Sequence, residues 1–492
     1  MAKSIKLNAI FKTLMSIVNI VFPLLTAPYV ARVLNIADFT EYNKVQSMLA
    51  WFSPFAVFGV YTYGMRTISQ IKNDKDKVSK IFSELFFVNV ITSVFVFIVF
   101  VCLIVFMPFS NGYKSVYLVM SLQILFVCFA TDWANEAFES YGFILVKTFF
   151  CRLAYVIAVF LFVHKENDLI IYVILTTCSL MLNNFLTYVY AKRNIKFVKV
   201  QIGEITKLIK PLFIVFLLVN SSMLYTILDR FVLTLFGSKL DLTYYNMSQT
   251  LIVAITNVTS SIVLVSIPRL SNLWANAQKE EFYLTLRKTS SCFLALHIPC
   301  CVGFAVLSSE VMYFYGGINY IAGKTTLLLF SLRYYISAFD ILLSKQILLS
   351  TGNEYVLTKI YYSGGILNVI MKVLLCVSNR LTPELCVITT SVADMLIIVS
   401  QILEIKILKM KIGFLVKANF KYLGISLSFI PIALCFKNIF DYKNVTMMVL
   451  GVISTILSCI IVYVIFLILM KDELLKYVPG INKIIQIGDS DE

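Results

Sequence analysis

Charge is scarce in this 492-residue chain. Asp, Glu, Lys and Arg make up 14% of it, against roughly a quarter in soluble globular domains. With 59% hydrophobic residues and a mean hydropathy of +0.86, that scarcity places the chain outside the soluble class. Histidine is scarcer still: His164 and His297 are the only two, which leaves little for metal ligation or general-base chemistry. No GxSxG, HExxH or CxxC pattern occurs in the sequence, so the common hydrolase, metalloprotease and zinc signatures are missing. The stretch GGINYIAGKT at 316–325 ends like a phosphate-binding loop but carries Ile318 where that spacing needs glycine. The 11 cysteines are odd in number and lie mostly within apolar runs, so they read as small core residues and not as a disulfide framework. The basic start followed by an apolar stretch resembles a signal peptide, but the stretch is too long and is read as a first membrane span.

What the chain does have is long apolar runs. Fourteen segments reach the roughly 20 residues needed to cross a hydrocarbon core of about 30 Å. They lie at approximately 9–31, 45–66, 82–107, 114–133, 143–163, 168–191, 209–236, 243–268, 283–308, 325–348, 356–377, 384–409, 415–437 and 444–470. The sequence therefore predicts an all-α, polytopic membrane protein with short connections. Lys and Arg divide unevenly between alternate loops: 29 fall on the side of the N-terminus and 11 on the other, and Arg152 and Arg333 inside spans complete the 42. By the positive-inside rule both termini are expected in the cytoplasm. The net charge of +15 then reads as an address facing anionic lipid, with no nucleic-acid partner implied.

A polar phrase is written twice. YNKVQS at 42–47 returns as YNMSQT at 245–250, so that Tyr42 and Tyr245, Asn43 and Asn246, and Gln46 and Gln249 share an offset of 203, which Arg66 and Arg269 also keep. Each phrase is expected to begin the second helix of a six-helix unit, and each arginine to close that helix at its other end. This divides the chain into a six-helix bundle at 1–200, a second at 201–411, an appended helix pair at 412–471 and a cytoplasmic tail at 472–492. Units with an even number of spans keep one orientation, so the two copies are expected as parallel repeats around a central cleft.

Charges inside the membrane cost at least ~2.5 to 3.5 kcal/mol each on insertion scales and call for an explanation. Arg32, Arg152, Arg230, Arg333 and Lys372 are expected to line a cationic cavity for an anionic headgroup, guanidinium forks being suited to phosphate. The alternative for Arg32, Arg230 and Lys372 is snorkelling to the interface. Asp229, Asp340 and Asp394 are acidic residues within spans. Pro23, Pro28, Pro54 and Pro299 interrupt apolar helices, as mobile bends or as static kinks. Asn19 and Asn220 face either the cleft or a neighbouring helix, and His297 reads more readily as a packed hydrogen-bonding residue than as a proton carrier. Asp132, Glu136 and Glu139 fall at helical spacing, so their carboxylates can share a face of a short cytoplasmic helix, as a solvated connector or as a latch to the basic loops.

The stretch PLLTAPYVARVLNIADFTEYN at 23–43 resembles the opening of bacterial O-antigen flippases, the polysaccharide-transport branch of the superfamily that also holds multidrug and toxin extrusion proteins and lipid II flippases. FGVYTYGMRTISQIKNDKDKVSKIFSE (58–84), TDWANEAFESYGF (131–143), YTILDRFVLTLFGS (225–238) and YYNMSQTLIVAITNVTSSIVLVSIPRLSNL (244–273) continue the resemblance in order. Two departures are Asn35, where such families usually carry glycine, and Ala137 within a W-x-x-x-G-x-E pattern otherwise kept by Trp133 and Glu139. The resemblance implies a non-enzymatic flippase of the bacterial inner membrane that moves undecaprenyl-diphosphate-linked oligosaccharide by alternating access. It implies no cofactor. H+ or Na+ coupling would run through Asp229, Asp340 or Asp394, and membrane lipids, a polymerase and a chain-length regulator would be neighbours. A multidrug/cation antiporter of the same fold is the first alternative, but it would favour an anionic cavity. A membrane polymerase is the second, and no loop is long enough for its chemistry.

Overall fold

The computed structural model describes residues 5–106, 113–220, 223–238, 240–442, 444–470 and 472, and among these there is no strand. Helices α1 (Ile5–Val33), α2 (Ile36–Val57), α3 (Val60–Ile71) and α4 (Lys75–Phe106) come first. They are followed by α5 (Lys114–Phe126), the short α6 (Asp132–Ala137), α7 (Tyr141–Phe162) and α8 (Leu169–Asn194). After α9 (Ile202–Val219), the single turn α10 (Met223–Thr226) and α11 (Leu228–Phe236) comes α12 (Asp241–Ala275), a helix of 35 residues. Then come α13 (Lys279–Val306), α14 (Ser308–Gly316) and α15 (Lys324–Ile341), which passes into a π-helix at Leu342–Leu349. The chain continues through α16 (Glu354–Val377), α17 (Pro383–Ile407), α18 (Gly413–Ser426), α19 (Phe429–Ile439) and α20 (Val445–Leu469).

The protein is an all-α, multi-pass membrane protein. Eleven segments among the described residues are long and apolar enough to cross a membrane, and they coincide with eleven of the fourteen expected spans. The other three fall on α1, on the α2–α3 pair and on α9 to α11, the last two being interrupted helices. Large apolar side chains point outward along these segments, Phe95 at 66% and Val265 at 74% exposed, as a lipid-facing surface requires.

Two compact units can be separated, one made of Met1–Asn246 and Val369–Thr382, the other of Met247–Asn368 and Pro383–Glu492. In the first, α1 packs on α7, α5 on both α4 and α8, and α2 lies against α4, α5 and α11. Val60, Phe82, Leu85, Trp133 and Leu212 form one of its buried clusters, where α3, α4, α6 and α9 meet. In the second, α13 packs on α15 and α18, α15 on α17, and α19 on α20. Its core gathers Val263, Phe293, Ile298, Leu342 and Ile347.

The second expected span, 45–66, is shifted and split. Helix α2 begins nine residues earlier, because Asn35 caps it: the Asn35 Oδ1 accepts the Ala37 N–H at 3.0 Å. Asn35 thus supplies a side-chain acceptor for an otherwise unpaired helical donor. YNKVQS consequently lies nearly two turns inside the helix and not at its start. Four residues beyond Pro54, α2 ends with Phe58 in the left-handed region (φ 46°) and Gly59 at φ 76°. A side chain at Gly59 would place its Cβ 2.6 Å from the Leu212 carbonyl oxygen and 2.9 Å from the Phe216 nitrogen. Glycine is required there twice over, for the turn and for the close approach of α9. Pro23, Pro28 and Pro299, by contrast, sit inside continuous helices.

Candidate functional site

The break between α2 and α3 sets up the first unit's polar interior. It re-aims α3 so that Tyr61 donates its hydroxyl to Glu136 Oε1 at 2.7 Å. Glu136 comes from α6, which exists because α5 stops in a 3-10 turn at Val127–Phe129 and the chain restarts at Asp132. Irregular backbone of this kind at membrane depth is tolerated where it is buried in protein or lines a cavity. Here it lines one, of about 370 Å³, with Asn19, Tyr61, Asp132, Glu136, Arg152, Asn183 and Asn184 in its wall.

The electrostatics of this cavity are mixed. Asp132 accepts from Lys147, whose Nζ lies 3.2 Å from Oδ1 and which also donates to Thr187. Lys147 is itself 5% exposed, so the pair neutralises a buried ammonium that would otherwise be very costly. Arg152 makes no hydrogen bond or ion pair to another described residue. The Asn183 side chain donates to none and its Oδ1, shielded from solvent, accepts from none. Glu139, the third acidic residue at helical spacing, turns away from the cavity and pairs with Lys72 at 3.2 Å. Both side chains of that pair are exposed.

Two of the five expected cavity cations are held in buried ion pairs. Lys372, 2% exposed, pairs with Asp229, 0% exposed, at 3.1 Å, and Asp229 also accepts the Tyr245 hydroxyl at 2.7 Å. Arg333 Nε donates to Asp394 Oδ2 at 2.8 Å in the second unit, both side chains being buried. Two of the expected anion ligands are therefore bound to two of the expected ion-coupling carboxylates. The third carboxylate, Asp340, takes only neutral donors among the described residues, Gln401 Nε2 at 2.6 Å and the Tyr361 hydroxyl at 3.1 Å. Arg32 is exposed at the end of α1 and Arg230 is half-buried in α11.

The remaining candidates have structural partners. His297 is fully buried, bonded through Nδ1 to Thr259 at 2.9 Å and through Nε2 to the Tyr334 carbonyl at 3.1 Å. Asn220 Nδ2 donates to Phe216 O at 2.9 Å, within its own helix. Of the repeated phrase, Tyr42 accepts from Gln46 at 3.0 Å and its ring centroid is 4.8 Å from that of Tyr172. Asn43, Asn246 and Gln249 are buried, while Arg66 in α3 and Arg269 in α12 are both exposed. Asn246 donates to Ser47 at 3.2 Å. Lys147, Tyr61 and Asn183 escaped the sequence reading. The Asn183–Asn184 doublet inside an otherwise apolar helix was the one signal that could have found the cavity wall.

The arrangement places charged and polar side chains in the wall of a cavity inside an apolar helical bundle. Its fold matches that of "Lipid II flippase MurJ, inward closed conformation", with a TM-score of 0.71 at 15% identity over 95% of this chain and 99% of that one. It also matches an inward-facing multidrug resistance MATE family transporter of the MOP superfamily, with a TM-score of 0.58 at 12% identity over 80% of this chain and 99% of that one. In sequence, the family described as "Polysaccharide biosynthesis protein" matches residues 5–274, and the chain belongs to that family. It is 22% identical over 374 residues to a Shigella dysenteriae protein named "Putative O-antigen transporter", covering 74% of this chain and 91% of that relative.

Proposed function

We propose that this protein is a flippase that carries undecaprenyl-diphosphate-linked O-antigen oligosaccharide across the bacterial inner membrane by alternating access, without altering it chemically. The observation that carries the reading is the cavity holding Arg152 and Asn183 within a lipid-facing bundle. Hydroxyls and charges moved into hydrocarbon without partners cost several kcal/mol each, and a protein that moves a glycan must replace their water. The family and the named transporter relative support the same substrate class.

In this proposal both termini lie in the cytoplasm, and the six-helix repeats at 1–200 and 201–411 alternate access while 412–471 is appended. Arg32 and Arg230 would serve the diphosphate with their planar forks. Lys372 and Arg333 would act through their ion pairs, holding α16 to α11 and α15 to α17. Coupling to H+ or Na+ would fall to Asp340, since it can exchange a cation without breaking an ion pair. A polymerase and a chain-length regulator would receive the product.

The test is lipid-linked intermediate analysis in a strain deleted for the gene. Glycosylated undecaprenyl diphosphate should accumulate in the inner leaflet and surface polysaccharide should fall, and the intact chain should reverse both. Unchanged polysaccharide with no accumulated intermediate would reject the flippase reading. In the complemented strain, Asp340→Asn should abolish the dependence of export on the ion gradient; a variant that remains gradient-driven would remove Asp340 from coupling.

A further inference from the structure

The cavity of the first unit has a chemistry that separates the two halves of a lipid-linked sugar. A diphosphate offers only acceptor oxygens and negative charge. A sugar hydroxyl offers both a donor and acceptor lone pairs. The wall contains Arg152 as a donor, but it also contains two carboxylates, Asp132 and Glu136, and the amide side chain of Asn183. A phosphate placed here would face carboxylate oxygens of its own sign of charge, which repel it. A hydroxyl-bearing ring can donate to the carboxylates while accepting from the Arg152 guanidinium.

The two carboxylates are also fixed in advance. Tyr61 holds Glu136 at 2.7 Å and Lys147 holds Asp132 at 3.2 Å, so a ligand meets oriented acceptors and little ordering is needed on binding. The volume of about 370 Å³ lies at the small end of ligand pockets, roughly 300 to 1,000 Å³, which suits a glycosyl ring and not a polyprenyl chain.

We propose that this cavity is a glycosyl subsite, binding hydroxyls of the lipid-linked oligosaccharide through Arg152, Asn183, Asp132 and Glu136, and that the diphosphate binds elsewhere. The inference rests on the flippase reading and adds to it a division of labour within the substrate. It predicts that the protein distinguishes glycosylated from bare lipid, and that this preference is lost when the cavity wall is changed.

The experiment uses the full chain in lipid nanodiscs and two probes: undecaprenyl diphosphate, and the undecaprenyl-diphosphate-linked repeat unit extracted from the deletion strain. The intact protein should bind the glycosylated lipid more tightly. Arg152→Gln should weaken that binding about tenfold or more, and Asn183→Ala about three- to tenfold, as lost charged and neutral hydrogen bonds do. Binding of the bare lipid should be unchanged in both variants, and that retained binding also reports that they fold. Equal weakening for the two probes would overturn the subsite, since Arg152 would then serve the diphosphate. Equal affinity of the intact protein for both probes would overturn it as well. Either result would leave the flippase reading standing, whereas an intact protein that binds neither probe would remove the flippase reading and the subsite together.

Discussion

Helices α2 and α3 together run from Ile36 to Ile71, and α12 runs from Asp241 to Ala275. Shifted by the offset of 203, these are nearly the same interval of the repeat, yet one is two helices and the other is one. The difference lies in a few residues. Pro54 and Gly59 in the first copy stand opposite Asn257 and Ile262 in the second, and neither of the latter stops a helix. The consequence is visible at Tyr61, whose counterpart is Leu264. The broken copy turns Tyr61 onto Glu136 in the wall of a polar cavity, whereas the unbroken copy leaves Leu264 49% exposed on an apolar surface. Two copies of one sequence pattern have thus taken different roles, one shaping a site and one spanning the membrane, through the local rule that a glycine at positive φ permits a turn a helix cannot make.

The most disruptive way to erase the difference is to put alanine at both equivalent positions. Gly59→Ala forces a Cβ into the left-handed region, costing roughly 1 to 2 kcal/mol. It also drives that Cβ against backbone atoms of α9 at 2.6 and 2.9 Å, for which overpacking costs of about 1 to 3 kcal/mol apply. A loss of about 3 kcal/mol or more is expected, seen as poor folded yield and a lower melting temperature in detergent. Ile262→Ala removes only half-buried methyl groups from a continuous helix and improves its propensity, so about 1 kcal/mol is expected. If the two variants melted alike, the break at Gly59 would not be the feature that sets the copies apart.

A smaller contrast comes from the paired tyrosines. Tyr245 donates to Asp229, one member of a fully buried ion pair, so Tyr245→Phe should cost about 1.5 to 3 kcal/mol, the range for hydrogen bonds to charged groups. Tyr42 has the neutral Gln46 as its partner, and Tyr42→Phe should cost about 0.5 to 1.5 kcal/mol. The comparison is a pair of melting curves taken in the same detergent. A Tyr42 variant as damaging as the Tyr245 one would mean that the first copy holds a charge the second copy was thought to hold alone.

Hydropathy made the helical, membrane-spanning architecture legible, because every span must satisfy its own backbone and advertise an apolar face. The fourteen intervals consequently land on helices, and the interruption of the second is foreshadowed by Pro54. The site was far less legible. Lys372 meets Asp229 and Arg333 meets Asp394 from positions 143 and 61 residues apart, and Tyr61 meets Glu136 across 75. No periodicity links such positions, so the sequence could count the buried charges without showing which of them neutralise one another. Five cations therefore read as a single cationic cavity, although two of them are consumed in ion pairs and Arg152 shares its cavity with carboxylates. The offset of 203 also relates further identical pairs, among them Thr40 and Thr243, whose contact no pattern in the sequence announces.

Thr243 donates its hydroxyl to Thr40 Oγ1 at 2.9 Å, with both side chains buried. Two residues that share the offset of 203 thus touch each other. This is the smallest effect expected and the sharpest test of the repeat. Each single valine substitution leaves the other hydroxyl buried with its partner removed, and should cost about 1 kcal/mol. The double substitution removes both hydroxyls and places two similar apolar side chains in contact, so it should cost less than the sum, with a coupling of about 0.5 to 1.5 kcal/mol. If the copies are close to symmetric here, Thr40→Val and Thr243→Val should shift the melting temperature by equal amounts, because each takes one half of the same bond. A clear inequality would show that the surroundings of the two threonines have diverged as the α2–α3 break has. Strict additivity would show that the hydroxyls do not depend on one another, and would leave the shared offset as a resemblance in sequence with no energetic link between the copies.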